Sequence, residues 1–480
     1  MRILALLFLG TNLAFAQGAA GAGERGSSAQ ETGQAQTKDE PATSQPPAPE
    51  SSIWNRFWVS GQANFIRQQH GNFYAAYSGP NSFLPAREHA TSYVLTLYTG
   101  FQITKNLEIL GDAESTGGAG LSNALGLAGF TNLDVVRNPS LSSAPYMARA
   151  MLHWVVPLSE EREEVTRSPL SLFSTLPVRR LEFRIGKMST ADFFDVNTVG
   201  SDSHTQFMNW AADNDAAFDY AADTRGYTYG FYMEYDDRRW TVRLGEMLMP
   251  TVANGITLDW DIARAGGTNL EFEFHPRLFK SKPTAIRILN YLNRADMGNY
   301  REAVNGYTSG QTPTPQITAY AKQGRTKYGF DINVEQYLTK TWEAYGRIGY
   351  ADGINEDFAY TEADRAVSIG SIIYGKAWHR PDDKFGEAFL MNAISGSHAR
   401  YLQLGGLGFI LGDGNLSYGF EKIFEMFYNA QIWGGISAGI DWQHINDPGY
   451  NLARGPVSVI SFRIHLEGGV PFDKIGAALH

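Results

Sequence analysis

Alternation of apolar and polar side chains at every second residue constrains this chain more than any other feature, and it is clearest between Tyr328 and Tyr350. Tyr328, Phe330, Ile332 and Val334 alternate with Gly329, Asp331, Asn333 and Glu335. After a turn at Thr339-Lys340, Trp342, Ala344, Gly346, Ile348 and Tyr350 alternate with Glu343, Tyr345 and Arg347. Two such runs joined by a tight turn predict a β-hairpin with one apolar and one polar face. Tyr328, Tyr337, Trp342 and Tyr350 mark the ends of the apolar band, where a strand crossing an outer membrane carries aromatic girdles. A soluble sandwich would also accommodate this one hairpin.

The pattern recurs from Trp58 onward. Strands are expected near 58–67, 92–102, 107–114, 146–156, 180–187, 227–235, 240–248 and 268–275. They continue near 283–293, 327–336, 342–350, 365–375, 385–394, 422–430, 435–445 and 456–466. This predicts an all-β fold, a transmembrane antiparallel barrel of about 16 strands with 18 as the alternative count. Long connections at 68–91, 115–145, 188–226, 249–267, 294–326, 351–364 and 395–421 alternate with short ones such as Thr104-Lys105-Asn106, Asp236 to Arg239, Thr339-Lys340 and Gln431 to Gly434. Short periplasmic turns and long external loops produce that parity. The stretch from Ser159 to Arg179 breaks it, being long where a short turn is due.

Positions expected to face inward are polar: Glu108, Asp112, Glu114, Arg149, His153, Glu182, Arg184, Glu234, Arg243, Glu271, Glu273, Arg287, Asp331, Glu335, Glu343, Arg347, Asp441 and Arg463. A sealed dry core would demand pairing of all of them, whereas a water-filled lumen would not. A mean hydropathy of −0.28 is too low for a bundle of membrane helices, each needing about 20 apolar residues, and the net charge of −10 disfavours nucleic acid. With no cysteine there is no disulfide or thiolate metal site. Residues 1–16, with Arg2, an apolar run and Ala14-Phe15-Ala16, read as a cleavable signal peptide. Residues 17–50 are rich in Gly, Ala, Ser, Gln and Pro and read as a disordered linker; residues 51–480 are then the barrel with a short C-terminal tail.

Several segments resemble the carbohydrate-selective porins of Gram-negative bacteria, the OprB family. They are YSGPNS at 77–82, GLSNALGLAGF at 120–130, FMNWAADNDAAFDYAADTRGYTYG at 207–230, WHRPDD at 378–383, the stretch 400–428 and QHINDPGYNLARGPVSV at 443–459. The resemblance implies a sixteen-stranded outer-membrane barrel that admits mono- or disaccharides by diffusion, uses no cofactor and is not an enzyme. The expected partners are sugars as permeating solutes, outer-membrane lipid and lipopolysaccharide, and the barrel-assembly machinery, with the chain a monomer or homotrimer. A lipid hydrolase built on a barrel and a non-selective general porin are the alternatives. The chain departs from the family at its end: these porins finish in a strand ending with Phe, whereas here the last expected strand ends near Leu466 and Phe472 lies beyond it.

In porins of this type the third external loop folds into the barrel. Here that loop is 188–226, with Asp192, Asp195, Trp210, Asp213, Asp215, Phe218, Asp219, Tyr220 and Arg225. The expected pore lining and constriction comprise Arg149, Arg184, Lys187, Asp192, Trp210, Asp219, Tyr220, Glu234, Arg243, Arg287 and Arg347, the loop acids facing the wall arginines across a narrow aqueous gap. The rings would contact sugar faces, or else anchor the loop by packing. No metal site is expected: Asp213-Asn214-Asp215 lacks the Gly and later Glu of a calcium loop. Ser201 and His204 lie in no nucleophile-elbow pattern.

Overall fold

The structure, a computed structural model, describes residues 53–134, 141–278 and 282–469. Sixteen strands follow one another in a single antiparallel sheet: β1 (Phe57–His70), β2 (Glu88–Thr104), β3 (Leu107–Gly118), β4 (Tyr146–Pro157), β5 (Arg180–Met188), β6 (Thr228–Asp236), β7 (Trp240–Leu248) and β8 (Gly266–Phe274). The second half holds β9 (Lys282–Met297), β10 (Lys322–Tyr337), β11 (Trp342–Ala351), β12 (Arg365–Tyr374), β13 (Lys384–Ala393), β14 (Glu421–Trp433), β15 (Ile436–Asn446) and β16 (Val457–Gly469). Each strand pairs with its neighbours in sequence. β1 pairs with β2, from Phe57 opposite Phe101 to His70 opposite Glu88, and on its other edge with β16, from Ser60 opposite Gly469 to His70 opposite Val459. That seam closes the sheet into a barrel and leaves it without an open edge.

Every expected strand is present. β1 and β2 run further than the alternation suggests, and β16 continues past Leu466 to Gly469. The expected signal peptide, the linker and the tail from 470 lie outside the described residues. Among the described residues no helix is long and apolar enough to cross a membrane. The expected alternation is met in register: Ile348 is 55% exposed on the outer face and Arg347 1% exposed inside. Ile109, Trp154, Ile185, Ile369 and Phe462 continue the outward apolar surface, the band that lipid covers.

The long connections gather at one end, with 447–456 between β15 and β16 as an eighth. At the other end β14 and β15 are joined through Gly434, whose φ of +48° favours glycine, and Gly435, where a Cβ would overlap the carbonyl of Glu467. The long connection at 158–179 also has its reason here. It forms a small hairpin, Arg162–Glu164 against Thr175–Pro177, whose tip turns back under the barrel. Leu172 and Phe173 are buried there; the Leu172 amide donates to Glu108 (3.0 Å) and Phe173 lies edge-on to His153.

The interior corrects one expectation. The inward charges do not stand in an open water-filled lumen. All of those named above other than Arg149 and Arg243 are buried; many pair along the wall, Arg347 and Arg463 bond to the 189–227 connection, and the connections 119–134, 189–227, 352–364, 394–420 and 447–456 pack apolar residues over them. Phe130, Trp210, Phe218, Tyr360, Ile410 and Tyr450 belong to that internal packing.

Candidate functional site: the occupied lumen

The connection 189–227 enters the barrel and is held there by polar staples. Its first turn, Thr190–Asp192, opens with a reciprocal cap between Ser189 and Asp192. A one-turn helix α1 (Trp210–Asp213) is capped by Asn209, whose side chain accepts from the Ala211 amide. Arg347 on β11 is the main staple. Its Nε donates to Asp195 Oδ1 (2.8 Å), and its terminal nitrogens donate to the carbonyls of Ala212, Asp195 and Asp213 and to Ser201 Oγ. Glu425 on β14 accepts from the amides of Met208 and Asn209. Asp219 accepts from the amides of Phe358 and Ala359 and pairs with Lys327 on β10 (3.1 Å).

The aromatic candidates serve this docking. Trp210 stacks on Tyr360 of the 352–364 connection, with ring centroids 4.4 Å apart and planes 5° from parallel; Tyr220 stacks on the same Tyr360 at 5.5 Å. All three rings are buried. Trp210, Tyr220, Asp219 and Arg347 therefore anchor the loop rather than line an open path. Tyr360 is the partner that sequence reasoning missed; its connection carries no alternation that would have marked it.

A second group forms a belt on the wall toward the short-turn end. Arg180 pairs with Glu182 and Asp236 (both 2.5 Å), and Arg184 with Glu182 (3.1 Å). Arg243 donates to Glu234 (2.7 Å), Glu271 (2.7 Å) and Glu273 (2.5 Å); Arg287 bridges Glu273 (3.1 Å) and Glu335 (3.2 Å). Arg184, Arg243 and Arg287 thus face wall acids, not the loop acids expected opposite them, and Glu234 is one of the acids that face Arg243. At one end of the belt His153 lies between Glu108 (2.7 Å) and Glu182 (2.8 Å). Buried charges pay their desolvation only when paired this closely.

The remaining candidates come together. Arg149 faces inward in step with Met151 and His153, while a register shift against β3 at Asp112 and Ala113 turns Met147 outward; the Arg149 guanidinium forks onto Asp192 (2.6 and 2.7 Å) and reaches Asp112 (3.1 Å). Here a loop acid does meet an expected wall arginine, as Asp195 also does with Arg347. Lys187 on β5 stands 5.9 Å from the ring centres of Tyr227 and Tyr229, and Arg225 covers the ring of Tyr146 at 3.7 Å. Both Tyr146 and Tyr227 donate to Glu114, the latter at 2.9 Å. Tyr146, Arg149, Lys187, Asp192 and Arg225 keep partial exposure. Two connection acids are displaced electrostatically: burial, with Asp202 and Asp195 nearby, pushes Asp213 up to about 7, and burial with Asp195 does the same to Asp215.

The comparisons with known proteins bear on the fold and the family. A sequence profile described as "Carbohydrate-selective porin, OprB family" matches residues 81–467. Among curated protein sequences no match is found. A high-pH structure of OprB from Pseudomonas putida superposes with a TM-score of 0.61 at 13% identity, covering 86% of this chain and 94% of that one. The outer-membrane channel DcaP of Acinetobacter baumannii aligns over 86% of this chain and 97% of its own at 9% identity, with a TM-score of 0.47. A sixteen-stranded closed barrel, a lipid-facing apolar band and a profile match over most of its length place the chain in the carbohydrate-selective porin OprB family, a porin channel of the outer membrane.

Proposed function

We propose that small neutral carbohydrates cross this barrel passively, and that they pass the cluster of Tyr146, Arg149, Lys187, Asp192, Arg225 and Tyr227. The observation that carries this reading is the chemistry gathered there, with Tyr146, Arg149, Lys187, Asp192 and Arg225 partly exposed and Tyr227 and Glu114 buried beside them. Two phenol rings are interleaved with three cations and with Asp192 and Glu114. Rings offer apolar faces to a pyranose, and charged hydrogen-bonding groups exchange with its hydroxyls at little cost because both replace water. Opposed charges beside a low-dielectric wall also sustain a local field that orients dipolar solutes without retaining them. The wall belt and the loop staples hold the shape of the passage and are not themselves contacted.

Liposome swelling tests the proposal. Reconstituted protein is expected to admit glucose and maltose faster than uncharged non-sugar solutes of the same size, and Lys187→Ala with Tyr227→Ala is expected to erase that preference while swelling continues. Equal rates for both solute sets in the unaltered protein would make it a general porin. A preference that survives both substitutions would move the passage elsewhere in the lumen.

A further inference from the structure

Beneath the external connections lies a buried cluster around His398, joined to the docked 189–227 connection through Lys327. His398 is the third residue of helix α3 (Gly396–Gln403), whose cap Ser395 accepts from the His398 amide. Its ring is fully buried and stacks on Tyr300 of helix α2 (Tyr300–Thr308), centroids 4.1 Å apart and planes 13° from parallel. Nδ1 faces two carboxylates at once, Asp364 Oδ2 at 3.4 Å and Asp357 Oδ2 at 3.7 Å, and Nε2 faces a third, Glu362 Oε1 at 3.8 Å. His398 Nε2 and Asp364 Oδ1, both buried, have no hydrogen-bond partner.

We infer that Asp357, Asp364 and His398 are the ligands of a divalent transition-metal ion of the Zn2+ class. Their donor atoms all lie within 4.8 Å of one another. The separations at Nδ1 are long for direct hydrogen bonds, yet they suit donors around one ion: bonds of about 2.0–2.1 Å in a tetrahedron set ligand atoms roughly 3.3 Å apart. Glu362 lies 3.8 Å from Nε2, beyond hydrogen-bond distance but on the side where the second ring N–H of a metal-bound histidine finds its carboxylate. Charge points the same way, since Lys327 meets Asp219 and Asp357, while Asp364 and Glu362 accept from the backbone amides of Ser395, Ile410 and Leu411. One imidazole with two carboxylates suits zinc, manganese or iron better than calcium, which takes 6–8 oxygens. The ion joins α3 to the connection that carries Tyr360, so it clasps two external connections over the lumen.

The test is metal content. Untagged full-length chain is refolded into detergent with Zn2+ or with EDTA, desalted, and its zinc counted by mass spectrometry. One equivalent per chain is expected, with a higher melting temperature than the EDTA-refolded protein. Asp364→Asn and His398→Gln are each expected to weaken zinc retention at least 30-fold, whereas Glu302→Gln, at a half-buried position of α2 paired with Lys322 and Arg325, leaves it unchanged. Absence of retained zinc in the unaltered protein overturns the site, as does retention unaffected by both substitutions. Should either variant fail to assemble, the stoichiometry and EDTA sensitivity of the unaltered chain decide the matter alone: one equivalent lost to EDTA with a lower melting temperature sustains the site, and any other result overturns it.

Discussion

Arg347 and Ile348 are consecutive residues that meet opposite surroundings. Ile348 projects into the lipid band and Arg347 into a fully buried ion pair with Asp195. Ile348→Arg is expected to lower barrel stability by roughly 2–4 kcal/mol, the cost of an arginine near mid-membrane, read from urea titration of the folded band in lipid. Arg347→Ile acts differently. The strand is expected to form, but Asp195 loses its cation and three loop carbonyls lose a donor, a change of about 3–5 kcal/mol for a broken buried pair. The loop is then expected to undock, raising single-channel conductance with little change in barrel melting. Equal melting losses for the two variants would show that Arg347 supports the barrel and not the loop. Alternation alone told which of these two residues turns inward. It could not tell that Arg347 would spend its hydrogen bonds on carbonyls more than a hundred residues earlier, because no local pattern records such a contact.

Connections, unlike strands, kept most of their structure out of view. A strand repeats its environment every second residue, so the sixteen strands and the parity of their connections could be read directly. The connection 189–227 has no repeat, and its length and aromatic content suggested a constriction without saying that Trp210 and Tyr220 would each stack on Tyr360. Deleting Ser203 to Asp215 removes α1 and one side of that stack, and is expected to raise conductance and abolish sugar block of the current in planar bilayers. The docking should also depend on pH. Asp213 and Asp215 are pushed up to about 7 in the docked loop from an ordinary value near 4. The docked form therefore binds protons more tightly, so docking is strongest at acid pH and weakens as pH rises from about 4 through 7. Conductance is expected to increase between pH 5 and pH 8.5, and Asp213→Asn with Asp215→Asn to flatten the rise. The metal ligands were likewise hidden, Asp364 and His398 lying on different connections with two strands between them.

At the scale of the whole molecule, strand pairing follows chain order everywhere except at the seam, where residues 60–70 meet 459–469. Every other pair of adjacent strands can form as soon as its hairpin is available. The seam alone must wait for the last strand. Loop-closure entropy rises only by about 0.6 kcal/mol for each doubling of length, so distance itself is a small thermodynamic burden. The burden is one of timing. Until β16 is delivered, the unfinished sheet carries two unsatisfied edges, each able to recruit another chain. The interval between export of the first and the last strand is therefore the period in which this protein is most exposed to misassembly, and anything that escorts it has to act on that open intermediate.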